Sequence, residues 1–142
     1  MAKVIDFIQL SNNWNAHPVS PEVNLQIVGK NLIMEIYLNH YMFDSFVKGD
    51  KARITFENSY KYSLNSCNDE GYYYGQYRIN WKQLEWGEFY EIISGLDRKL
   101  PKPIVQLSDD SDNKRHFLFF FKDETFECLA DNYKVEFIYV QR

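Results

Sequence analysis

Residues 115–130 read RHFLFFFKDETFECLA, and their pattern sets the fold class. From Arg115 to Phe121 aromatic side chains fall at both odd and even positions, so an extended chain carries them on both faces. Such a strand belongs inside a sheet whose two faces are covered. Lys122, Asp123 and Glu124 supply the polar break of a hairpin, and TFECLA returns beside the first strand.

The neighbouring segments repeat this grammar. Asp131-Asn132 turns the chain into YKVEFIYV, 133–140, with Val135, Phe137 and Tyr139 on one side. Upstream, EFYEII at 88–93 reads as a strand ended by Ser94-Gly95. LDRKLPKP, with two prolines, reads as an exposed loop, IVQL as a short strand, and DDSDNK at 109–114 as a polar loop. Glu22 to Leu38 forms another hairpin: Val23, Leu25 and Ile27 alternate with polar residues, Gly29-Lys30-Asn31 turns, and LIMEIYL follows. Its continuous apolarity predicts a strand near the sheet centre with both faces covered. KARITFEN is a further strand, and SYKYSL its continuation or a neighbour across a bend at Asn58-Ser59. Lys3 to Leu10 reads as extended or as a short helix, SNNWNAHPVSP at 11–21 as loop, and HYMFDSFVKGD at 40–50 as one helical turn or an irregular crossing. The sum is a single, mainly β domain over residues 1–142. Its expected form is an antiparallel β-sandwich or a strongly bent sheet, with room for one short helix.

Bulk composition narrows the function classes. The formal net charge of −4 argues against a binder of nucleic-acid backbones, which presents a basic surface. No apolar run approaches the roughly twenty residues that cross a bilayer. The start, MAKVIDFIQLSNNW, lacks the apolar core and small-residue cleavage site of a secretory signal. Two cysteines, Cys67 and Cys128, do not make a disulfide framework. The expectation is a reduced, cytoplasmic protein away from membranes.

Candidate chemistry centres on CNDEGYYYGQYR, Cys67 to Arg78. Asn68, Asp69 and Gly71 favour a tight turn. In the strand expected after it, Tyr72, Tyr74, Gln76 and Arg78 share a face. Asp69, Glu70, Tyr74, Arg78 and Glu88 are therefore the candidates for a carboxylate–arginine pocket, able to run acid–base chemistry or to hold an anion. An internal ion pair that locks Arg78 to Glu88 is the stronger reading of the same residues. Glu91 falls on the opposite face from Glu88, and Arg115 is another candidate ion-pair partner for these acids. His17, His40 and His116 match no compact metal motif, so no metal is expected. His17, beside Pro18, belongs to a functional loop or is simply exposed. Cysteine catalysis would need a base beside Cys67 or Cys128, with His116 the candidate across the hairpin from Cys128. Without a P-loop, a GxGxxG fingerprint or an HExxH pair, no cofactor is expected.

The order of WNAHP, a hairpin, CNDEGYYYGQYR, WGEFYEI and RHFLFFFKDETFEC resembles small uncharacterised bacterial proteins. Some of these are similar in type to immunity proteins, which neutralise bacterial toxins. The resemblance implies a protein-binding module that inhibits a toxin by direct contact and needs no chemistry of its own. For such a surface the candidate apolar anchors are Tyr73, Trp81 and Trp86. The candidate acids facing a basic partner are Asp109, Asp110, Asp112, Asp123 and Glu124. The alternative is a small-molecule-binding or hydrolytic domain built on the carboxylate–arginine pocket.

Overall fold

The computed structural model describes residues 4–68 and 84–141. The turn expected at Asp69–Gly71, the tyrosine-rich strand expected to carry Tyr73, Tyr74 and Arg78, and Trp81 lie outside the described residues. Within them the chain forms ten strands and no helix. The strands are β1 (Asp6–Gln9), β2 (Asn24–Val28), β3 (Asn31–Tyr37), β4 (Lys51–Glu57), β5 (Lys61–Asn65), β6 (Phe89–Ser94), β7 (Ile104–Gln106), β8 (Arg115–Phe120), β9 (Thr125–Ala130) and β10 (Asn132–Ile138).

All pairings are antiparallel and fall into two sheets, one ordered β1-β6-β8-β9-β5-β7 and the other β10-β4-β3-β2. One apolar cluster joins them: Leu32, Met34, Ile36, Ile54 and Phe56 from the smaller sheet meet Phe89, Phe117, Phe119 and Phe126 from the larger. This is the sandwich form of the expected architecture. Among the described residues no stretch takes the place left for one short helix. Residues 40–50 run as successive turns, and β1 is extended.

The two-sided character of RHFLFFF is explained by what covers it. Phe117, Phe119 and Phe121 enter the core between the sheets. Leu118 and Phe120 face the other way, into a second cluster with Ile5, Leu84, Tyr90 and Ile92. β9, paired to β8, is buried along its whole length. For LIMEIYL the expectation of two covered faces is corrected. β3 lies inside its sheet, but only Leu32, Met34 and Ile36 are buried, and the alternate residues are half-buried. That other face is polar enough for Glu35 to accept a hydrogen bond from Arg53 at 3.0 Å. The exposed loop at 96–103 is also corrected in part, because Leu100 is buried.

The chain changes sheets twice at the same corner. β4 passes to β5 through Asn58, whose φ is 48°, and β9 passes to β10 through Asp131. Asp131 N–H donates to the Glu57 carbonyl at 2.9 Å, and Asn58 Nδ2 donates to Asp131 Oδ2 at 2.7 Å. The two crossings therefore brace each other. Lys114, just before β8, brings its ammonium to Asp131 at 2.7 Å and Asp110 at 3.2 Å. Burial opposes that charge, but the hydrogen bonds to Asp131 and Asp110 outweigh it and raise the Lys114 pKa.

Candidate functional site

The opposite end of the sandwich is built differently. An isolated bridge pairs Ala16 with Leu38. Beside it, Asn39 N–H donates to the Asn15 carbonyl at 3.0 Å, and His17 N–H to the Tyr37 carbonyl at 2.9 Å. WNAH is thus held as a strand-like lid along the end of β3. Trp14 turns inward and packs on Phe89, Phe119 and Phe137. A buried tryptophan with three aromatic neighbours anchors the lid.

Glu88 lies under this lid, immediately before β6. Ser11 Oγ donates to its Oε1 at 3.1 Å and Asn15 Nδ2 to its Oε2 at 3.4 Å. Burial raises the Glu88 pKa, and these two hydrogen bonds only partly oppose it. Arg78, its expected partner, lies outside the described residues, and among those described no arginine pairs with Glu88. Glu91 instead takes both a 2.9 Å and a 2.7 Å bond from Arg115. This fork raises the Arg115 pKa, and it is one of the ion pairs anticipated from the sequence. Of the carboxylate–arginine pocket, Asp69, Glu70, Tyr74 and Arg78 lie outside the described residues, and only Glu88 is placed.

A cavity of about 350 Å³ opens beside Asn15, His17, Asn39, Trp86, Phe120 and Lys122. Trp86 stacks on Phe120 with ring centroids 4.6 Å apart. Asp123 and Glu124 follow Lys122 at the β8–β9 turn. Asp123 is exposed, while burial and then Asp123 raise the Glu124 pKa. Above the cavity, residues 39–50 expose apolar side chains: Tyr41 is 69 % and Met42 66 % exposed. Tyr139, 54 % exposed, lies 6.4 Å from Phe46 between ring centroids. Asp50 joins Val47 and Val140 by accepting both backbone N–H groups, at 2.8 and 2.9 Å. His17, His40 and Tyr41 form a ring cluster, with His40 and Tyr41 centroids 4.1 Å apart.

The proposed partner-binding residues divide between the two ends. Trp86, Asp123 and Glu124 stand at the cavity end. Asp109, Asp110 and Asp112 precede β8, whose six residues span about 20 Å, so they belong to the corner end. Asp110 is occupied there by Lys114 and by Asn58. Asp109 accepts from Gln106 Nε2 at 3.1 Å. Tyr73 and Trp81 lie outside the described residues. Sequence reading passed over Asn15, Asn39, Tyr41 and Met42. Loop polarity was their only signal, and the pairing that assembles them joins residues far apart in the chain.

The geometry separates Cys128 from the histidine expected to activate it. Both thiols are free. Cys128 sits opposite Phe117 and faces the inter-sheet core, whereas His116 sits opposite Leu129 on the other face of the hairpin. The expected Cys128–His116 candidate pairing is therefore corrected by strand alternation. Burial pushes the Cys128 thiol up to about 12 and also raises that of Cys67. His116 instead meets Glu127, with both side chains buried. No group of three metal-ligating side chains occurs among the described residues, and none of their helices could cross a membrane, since none is present. Comparison with protein-family models, curated proteins and solved structures finds no match.

Proposed function

We propose that the chain is a protein-binding module that docks through the cavity end of the sandwich. On the resemblance noted in its sequence, we assign it the immunity type, an inhibitor that covers a bacterial toxin. The carrying observation is the exposure of Tyr41, Met42 and Tyr139 around turns fixed from below. Large apolar side chains left exposed at one end of a domain suit a partner surface. Tyrosine and methionine suit this role, since both present broad contact area. Their backbone is already ordered: Asn39 Oδ1 accepts from Tyr41 N–H and Met42 N–H, each at 3.2 Å. A preordered loop loses less entropy on binding. Asp123, exposed at the neighbouring turn, supplies negative charge toward a basic partner.

Affinity capture from the source cell tests this reading. Wild-type bait should retain a partner that Tyr41→Ser/Met42→Ser bait loses, while Asp109→Lys/Asp112→Lys bait keeps it. The captured protein should be toxic alone and neutralised by the wild-type chain. Substrate turnover that vanishes in folded Glu88→Gln would replace this reading with an enzyme.

A further inference from the structure

Among the described residues the two sheets end in four edge strands, and three of these are blunted. β1 has an irregular register between Asp6 and Phe7, β7 is three residues long, and β10 carries Lys134 and Glu136. Irregularity, short length and charge all oppose edge-to-edge pairing. β2, NLQIV, has none of them. Its outer side pairs with no strand among the described residues, and Ile27 and Val28 are 50 % and 53 % exposed.

The hairpin fixes which backbone groups this edge offers. Tyr37 N–H donates to the Pro21 carbonyl, toward β2, and Leu38 N–H to the Asp50 carbonyl, toward β4, each at 2.9 Å. Odd-numbered residues of β3 therefore bond toward β2, and their partners Asn24, Gln26 and Val28 spend their N–H and C=O groups there. Leu25 and Ile27 turn theirs outward. An antiparallel second copy centred on Gln26 meets this pattern with its own. Leu25 then exchanges both backbone bonds with Ile27 of the second copy, and Ile27 with Leu25 of the second copy. The exposed Ile27 packs on that Leu25, which already touches the inter-sheet core in its own chain. Gln26 meets Gln26, whose amide both donates and accepts. Just beyond the strand, exposed Glu22 comes beside the equally exposed Lys30 of the second copy, so unlike charges meet at both ends. Centring the pair on Leu25 or Ile27 instead loses that match.

From this edge we propose that two copies of the chain join through β2, in an antiparallel pair about a two-fold axis at Gln26, so that their smaller sheets become one continuous sheet. The self-complementary register and the Glu22–Lys30 charges select a second copy as the occupant. This goes beyond the docking reading and does not rest on it, because the isolated chain suffices to test it.

Sedimentation equilibrium of the purified chain should show a concentration-dependent dimer. Glu22→Lys and Lys30→Glu should each raise its dissociation constant by about fivefold, since the axis repeats every charge contact. The double variant Glu22→Lys/Lys30→Glu should return it to the wild-type value. Within one chain the two residues stand roughly 25 Å apart along the strand, so that rescue can come only from a second copy. In hydrogen exchange of the unaltered chain, the Leu25 and Ile27 amides should gain protection as concentration rises, while those of Gln26 and Val28 stay protected throughout. A chain that remains monomeric up to about 1 mM, a double variant that dimerises no better than the single ones, or concentration-dependent protection at another edge strand instead would each overturn the proposal. The exchange measurement decides the matter even where a variant does not fold.

Discussion

His116 Nε2 lies 2.6 Å from Glu127 Oε1, and each side chain is only 1 % exposed. The two residues sit on adjacent strands, β8 and β9, on the face of the larger sheet turned away from the smaller one. Removing the imidazole takes a short bond from a carboxylate that water cannot reach. His116→Leu should therefore destabilise the fold by about 3–5 kcal/mol, as for other broken buried pairs. Urea unfolding measures this, and a loss below about 1 kcal/mol, the scale of a surface pair, would show that the pair is not structural.

The corner around Lys114 should set the acid limit of the fold. Asp131 has a lowered pKa through Lys114 and then Asn58, and Asp110 through the Asp112 N–H and then Lys114. Folding thus favours their ionised forms. That contribution is complete above the ordinary value of 3.8 and is lost as pH falls through the lower folded-state values. In Lys114→Met the acid unfolding midpoint should move to higher pH. Circular dichroism across an acid titration gives the midpoint, and an unchanged value would contradict the role assigned to Lys114.

Glu88 should show the opposite sign. Its folded-state pKa is raised above 4.5 by burial, so the folded protein holds the proton more tightly than the unfolded chain. The stability from this group is full below 4.5 and is lost as pH rises through the higher folded value. Glu88→Gln removes that loss, so its stability relative to wild type should improve as pH climbs above 4.5. Thermal melts of both proteins across this range test the sign, and a difference independent of pH would refute it.

Gly95 closes β6 against the N-terminal segment at φ +88°, and a Cβ there would land on the Val4 carbonyl. Gly29 turns the β2–β3 hairpin at φ +63° with open space around it. Alanine at Gly29 brings backbone strain alone, about 1–2 kcal/mol. Alanine at Gly95 adds a collision with backbone and should cost more. Chemical denaturation of the two variants ranks them, and equal losses would mean that the Val4 contact yields freely.

What was legible in the sequence was local. The β8–β9 hairpin stood out because aromatics on both faces and a polar three-residue break leave few other structures. The β2–β3 hairpin was legible from alternation and Gly29. The covering of β3 was not, since an apolar run such as LIMEIYL reads alike whether its second face meets protein or half meets solvent. DDSDNK was correctly read as a loop, but its lysine is buried by a crossing at Asp131, and loop polarity gives no hint of that. The candidate site was least legible. Asn15 and Asn39 acquire their roles from a bridge between Ala16 and Leu38, and the residues that chemistry picked out around Arg78 lie outside the described residues.

The central claim, docking through the cavity end, is tested most directly by photo-crosslinking. Benzoylphenylalanine placed at Tyr41 should form a covalent adduct with the captured partner. The same probe at Asp109, at the far end of β8, should form none. An adduct through Asp109 and not through Tyr41, or no adduct from either position, would contradict it.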